Sequence, residues 1–134
     1  MKVRAVWNKY IDRPAHIARD GGGPQSQSHL TIGKEYDVYA ISFYDGCLKL
    51  LIIDDTETES LKPSWFFEIV DRSLPHDWEI NLFKDEEPQG IIGPEFFVRD
   101  GESYNALVEE HPDAVEKFVK YVLKRKKDAE QEDS

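Results

Sequence analysis

Asp45-Gly46 stands between two apolar runs, and this pair constrains the fold more than any other part of the sequence. Both central residues of a type I′ turn need positive φ, which Asp and Gly tolerate, so the pair predicts a tight hairpin. Upstream, Tyr36, Val38 and Ala40 alternate with Asp37, Tyr39 and Ile41. Aromatic and β-branched residues dominate that stretch, as a strand requires. Downstream, Cys47 to Ile53 is the return strand. Its near-continuous apolar run, Leu48, Leu50, Leu51, Ile52 and Ile53, reads as a strand buried on both faces.

The flanking segments extend this β pattern. Lys2 to Asn8 reads as a strand with Val3, Ala5 and Trp7 on one face. A polar, glycine-rich stretch over residues 19–29 has no apolar anchor and is expected to be a flexible loop. Asp54 to Ser60 reads as an acidic connector, and Pro63 as the start of the next strand, because proline cannot sit in a central one. Trp65 to Val70 and Trp78 to Phe83 read as two further strands, with Leu74-Pro75 turning the chain between them. Short strands at this spacing predict a small antiparallel barrel or a strongly bent sheet.

Beyond Pro94 the periodicity becomes helical. Tyr104, Leu107 and Val108 recur at helical spacing. Pro112 suits the first position of a second helix, where its missing amide costs nothing. Val115, Phe118, Val119 and Val122 then form one apolar stripe. Asp113 and Glu116 complement the dipole at the start of this helix, and Lys124 to Lys127 at its end. The expected fold is thus mostly β within an α+β class: a barrel or bent sheet packed by two C-terminal helices. The expected organisation is one domain over 1–134, with a β part at 1–99, a helical part at 100–127 and a frayed tail at 128–134.

A chain of 134 residues buries enough surface to fold without a disulfide or metal. Cys47 is the single cysteine, so no internal disulfide forms and nothing points to an oxidising compartment. No signal peptide or membrane span is read in the sequence, and the cytoplasm is the expected location. Seventeen basic and 27 acidic residues give 17 − 27 = −10. That charge disfavours nucleic acid and anionic membranes and favours a basic partner.

Three stretches carry a resemblance: Leu30 to Ile41, Trp65 to Asp71 with Trp78 after it, and Leu107 to Phe118 with His111-Pro112-Asp113-Ala114-Val115 inside it. In this order and spacing the chain resembles a family of small uncharacterised bacterial proteins. The first two stretches are similar to strands of an SH3-like barrel, a fold often used to bind peptides or proteins. The resemblance implies no activity, cofactor or catalytic residue, and fold alone does not give function.

The residues offer little catalytic chemistry. His16, His29, His76 and His111 are scattered and form no metal-ligand spacing, so neither a metal nor a cofactor is expected. Cys47 lies among acidic and apolar neighbours and reads as a packing residue. Gly21-Gly22-Gly23 lacks the Lys-Ser/Thr that a phosphate loop needs. Lys124 to Lys127 has no interleaved aromatics and is followed by acids, which excludes it as a nucleic-acid patch. No catalytic residue is assigned.

What remains is a surface. Asp54, Asp55, Glu57 and Glu59 read as a solvated turn or as an electrostatic docking surface. Trp65 and Phe66 fall on opposite faces of their predicted strand, so one aromatic side is exposed unless the helices cover it. The sequence therefore favours a small, acidic, non-enzymatic protein-binding module. An immunity-type protein that neutralises a basic toxin is one form of it. The alternative is a small hydrolase or small-ligand binder whose site is assembled only in three dimensions, with His76 and Asp77 as first suspects.

Overall fold

A computed structural model describes residues 1–9, 28–44, 46–84, 87–99 and 101–132. The element order is β1 (Lys2–Ala5), β2 (Glu35–Asp37), β3 (Ala40–Tyr44), β4 (Cys47–Ile53), β5 (Glu59–Pro63), β6 (Phe67–Asp71), β7 (Glu79–Leu82), β8 (Gly90–Gly93), α1 (Glu95–Val98), α2 (Glu102–Val108) and α3 (Pro112–Glu132). All strand pairs are antiparallel. They form a three-stranded sheet, β2-β1-β6, and a five-stranded sheet, β5-β4-β3-β8-β7. Neither sheet closes on itself. Of the two expected forms, the structure adopts the bent-sheet one, mixed α+β with helices at the C-terminal end.

The hairpin holds as read. Tyr44 pairs with Cys47, which leaves a two-residue turn, and Gly46 carries φ 74°. The arms explain the rest of the architecture. Leu50, Ile52 and Ile41 face one core, shared with Val3, Ala5 and Phe66. Leu51, Ala40 and Ile91 face a second core, shared with Tyr104, Leu107 and Phe118. The five-stranded sheet is therefore a middle layer, with the small sheet on one side and the helices on the other. A strand apolar on both faces is stable only when both are covered.

The predicted strand from Tyr36 to Ile41 breaks in two. Val38 and Tyr39 carry the chain from the small sheet into the large one, and both are buried. β8 escaped the sequence reading because it is only Gly90-Ile91-Ile92-Gly93. Its glycines allow close strand approach: a Cβ at Gly93 would meet the Ala40 Cβ at 3.1 Å, and one at Gly90 the Asn81 carbonyl oxygen at 3.1 Å.

Four further expectations are corrected. The acidic connector ends in a strand, since β5 begins at Glu59, and Pro63 closes that strand on the sheet edge instead of opening the next. Trp65 and Phe66 lie in a 3-10 turn, Ser64–Phe66, because the backbone must bend there to pass from the large sheet to β6. Among the described residues three helices follow the strands, of which α1 is a single turn. α3 continues through Glu132, so Lys124 to Lys127 lie inside it and its last turn holds no basic residue. Of the predicted loop, residues 19–27 lie outside the described residues, as do residues 133–134 of the predicted tail.

Within the basic run, Arg125 has a different role from its neighbours. Its guanidinium donates to the Val38 carbonyl at 2.8 Å. It lies 4.7 Å from the Tyr39 ring centre and 5.8 Å from those of Trp78 and Tyr121. Trp78 Nε1 donates in turn to the Tyr121 hydroxyl at 2.8 Å. The buried carbonyl at the crossover thus gains a charged donor, and α3 is held to the junction of the sheets. Burying that carbonyl without a partner would cost roughly 1–3 kcal/mol.

Two predictions follow from this layering. Leu51→Ala should cost about 2–5 kcal/mol in urea unfolding, as expected for a core cavity, while Val119→Ala, at a position 48% exposed, should stay within about 0.5 kcal/mol. Arg125→Met should cost roughly 1.5–3 kcal/mol, because it deletes a charged hydrogen bond at a buried carbonyl. Lys124→Met, on the exposed face of the same helix, should be close to neutral by the same measurement.

Candidate functional site

The acidic turn between β4 and β5 is built, not merely solvated. Asp54 is buried, and its Oδ1 accepts hydrogen bonds from the Thr56 amide at 2.9 Å, the Thr56 hydroxyl and the Thr58 amide at 3.4 Å. This is the local side-chain-to-backbone bonding that Asp favours in turns. It lets Glu57 adopt φ 61°. Asp55 points to the neighbouring segment. It accepts from the Thr31 hydroxyl at 2.6 Å, the Lys34 ammonium at 2.8 Å and the Tyr36 hydroxyl at 2.8 Å. The Lys34 hydrogen bond leads in holding the Asp55 carboxyl down, to about 2, with Thr31 and Tyr36 adding to it. Burial is the main cause that raises the Tyr36 phenol.

The predicted docking patch is therefore divided. Asp54 and Asp55 are engaged in holding the turn, whereas the side chains of Glu57 and Glu59 make no hydrogen bond among the described residues. Phe66 is fully buried in the core between the sheets, so it is unavailable to a partner. Trp65 is half-buried and packs edge-on against Phe66 at 4.5 Å. Its Nε1 is buried without a hydrogen-bond partner among the described residues. Glu57 and Trp65 also stand at opposite ends of β5, five extended residues that span roughly 16 Å. The acidic and aromatic halves of the expected patch thus sit at the two ends of this strand.

The helical end holds a different feature. A cavity of about 230 Å³ opens among α1, α2 and α3. Phe96 and Phe97 of α1, Ala106 of α2 and Ala114 of α3 make its apolar wall. Glu102 and Ser103 of α2 and Asp113 and Lys117 of α3 bring polar groups to it. Two tight connections set this arrangement. Gly101, at φ 77°, starts α2 directly after α1 and sits against the Phe83 ring, where a Cβ would come within 3.4 Å. Glu110, at φ 61°, ends α2 with the His111 amide on the Ala106 carbonyl and the Glu110 amide on the Leu107 carbonyl. That is the paired bonding of a helix stop usually made with glycine. On the far side, Asn81 Nδ2 donates to the Val98 and Arg99 carbonyls at 3.0 and 3.2 Å, which ties α1 to β7.

The sequence reading missed this cavity. Its walls come from three helices, and only the helical spacing after Pro94 hinted that they exist. The Asp113 side chain enters no hydrogen bond or ion pair among the described residues, and neither does that of Lys117, four residues later on the same helix. His76 and Asp77 lie on the turn before β7 and do not line the cavity. His16 lies outside the described residues. Among the described residues no three His, Cys, Asp or Glu side chains are grouped to hold a metal, and no helix is long and apolar enough to cross a membrane.

The architecture defines a mixed α+β protein with two open antiparallel sheets and a helical end. Compared with known proteins, the chain matches no family model, no curated protein and no solved structure.

The Asp55 cluster predicts an acid limb. A depressed carboxyl contributes stability that is full above its unfolded-state pKa and is lost as pH falls through its folded value. Here that window runs from the ordinary aspartate value of 3.8 down to about 2. Asp55→Asn should be less stable than the parent at pH 7, and the gap between their urea midpoints should shrink as the pH is lowered through this window. A gap independent of pH would show that the carboxylate's charge contributes nothing.

Proposed function

We propose that this protein is a small binding module for a basic protein partner, and that the cavity among α1, α2 and α3 receives the partner's anchoring side chain. The observation that carries this reading is the cavity itself: an apolar wall with Glu102 and Asp113 beside it, in a chain of net charge −10. Binding energy at protein interfaces concentrates where one side chain fills a desolvated pocket. Negative charge around such a pocket steers a positive partner and speeds association. An immunity-type protein, which neutralises a basic toxin by covering it, is the role that fits this combination of size, acidity and an anchoring cavity.

A small-ligand site is the second reading, and the same cavity favours it. The volume of about 230 Å³ ranks it second, because pockets for drug-sized ligands run to about 300–1,000 Å³. A space of this size suits one side chain better than a whole metabolite.

Capture from host lysate tests the docking reading. The tagged parent protein and its Ala106→Phe variant, which fills the cavity, would be compared at low and high salt with identification by mass spectrometry. We expect a basic protein recovered by the parent at low salt, less of it at high salt, and a clear loss with the filled variant. Equal recovery by a folded Ala106→Phe variant would remove the cavity from the interface. Ser103→Phe, on the same helix, serves as the second filling variant should the first lose its cooperative melt.

A further inference from the structure

We infer that the side chain received by the helical cavity is cationic, and is an arginine in preference to a lysine; the inference rests on the docking role proposed above. Three features of the cavity point to this chemistry. Phe96, Phe97, Ala106 and Ala114 supply apolar surface for a long aliphatic stem. Lys and Arg bury such stems while keeping the charged head toward solvent. The head would then meet Glu102 on α2 and Asp113 on α3, both at the cavity. The Asp113 side chain has no hydrogen bond or ion pair among the described residues, so it accepts a new donor without breaking a side-chain contact.

Arginine ranks above lysine for two reasons. A planar guanidinium offers several donors in a fixed fork, so one group can engage carboxylates on two helices. It also stacks on aromatic rings, and two of the wall residues are phenylalanines. The fold already packs an arginine against rings in this way, with Arg125 set over Tyr39, Trp78 and Tyr121.

Lys117 supplies a test with a sign. It lines the cavity on α3 and is the one cation there among the described residues. Against an incoming arginine it repels, so Lys117→Met should tighten binding. Against a carboxylate or a zwitterion it attracts, so the same change should weaken binding.

The probes are the acetylated, amidated tripeptides Ala-Arg-Ala and Ala-Lys-Ala, and the same peptide with citrulline, the neutral isostere of arginine. Binding at millimolar concentration would be read from amide shifts in ¹⁵N NMR spectra of the full chain. Saturable shifts should map to α1, α2 and the first turns of α3, strongest for arginine and weakest for citrulline. Asp113→Asn should weaken the arginine peptide, and Lys117→Met should strengthen it, each by roughly two- to five-fold as expected for exposed charge pairs. Equal binding of the citrulline peptide, a weaker Lys117→Met variant, or no shifts at the cavity would each overturn the inference. Those results leave lysate capture by the parent and the cavity-filled variants unaffected, so failure here and failure of the docking role are told apart.

Discussion

Everything in this fold depends on the β3–β4 hairpin being apolar on both faces. A sheet with one wet face needs a single cover, whereas this one needs two, and the chain supplies them from its two ends. β1 comes from the N-terminus and, with β2 and β6, closes the face that carries Leu50 and Ile52. The three helices come from the C-terminus and close the face that carries Leu51 and Ile91. The cores are separate, so alternate residues of one strand belong to different hydrophobic units. A register slip of one residue in β4 would exchange them, which is why pairing here is strongly specified.

Covering both faces creates a polar problem at the seam. The chain must cross between sheets at Val38 and Tyr39, inside apolar surroundings, and its peptide groups still need partners. The Val38 amide donates to the Met1 carbonyl at 3.1 Å, the Tyr39 amide to the Leu51 carbonyl at 2.8 Å, and Arg125 supplies the donor for the Val38 carbonyl. A single crossover thus draws on the N-terminus, the central strand and the last helix. The ring cluster around Arg125 fixes the position of α3, and α3 in turn carries Asp113, Ala114 and Lys117 to the cavity. The site at one end of α3 is therefore held by a contact about three turns away along it.

The sequence showed the parts of this structure that rest on local pattern and concealed those that rest on approach between distant segments. Asp45-Gly46 and the run from Leu48 to Ile53 were readable because turn chemistry and strand period are local. Pro112 was readable as a helix start for the same reason. β8 was hidden because four residues flanked by glycine carry almost no period, and its place depends on how closely β3 and β7 can approach it. Arg125 was hidden within four consecutive cations, since charge composition cannot say which one meets a buried carbonyl. Val119 lies off the apolar stripe expected of it: the buried line runs through Ala114, Phe118 and Val122, with Tyr121 and Arg125 on its flank.

The acidic turn shows why charge in a sequence is a poor guide to a docking surface. Asp54 and Asp55 are adjacent acids, yet both are already coordinated by the fold. A carboxylate that already accepts from Thr31, Lys34 and Tyr36 has little acceptor capacity left for a partner. Asp113 is in the opposite position. It occupies the first turn of α3, where the helix dipole favours negative charge, and its side chain has no other partner among the described residues. A new donor there adds to what the fold already has. The same reasoning separates Phe66, whose burial the core requires, from Phe96, which remains half-buried beside an unfilled space. Between Asp55 and Asp113, the carboxylate whose side chain the described fold does not already use is the one that a partner can gain from.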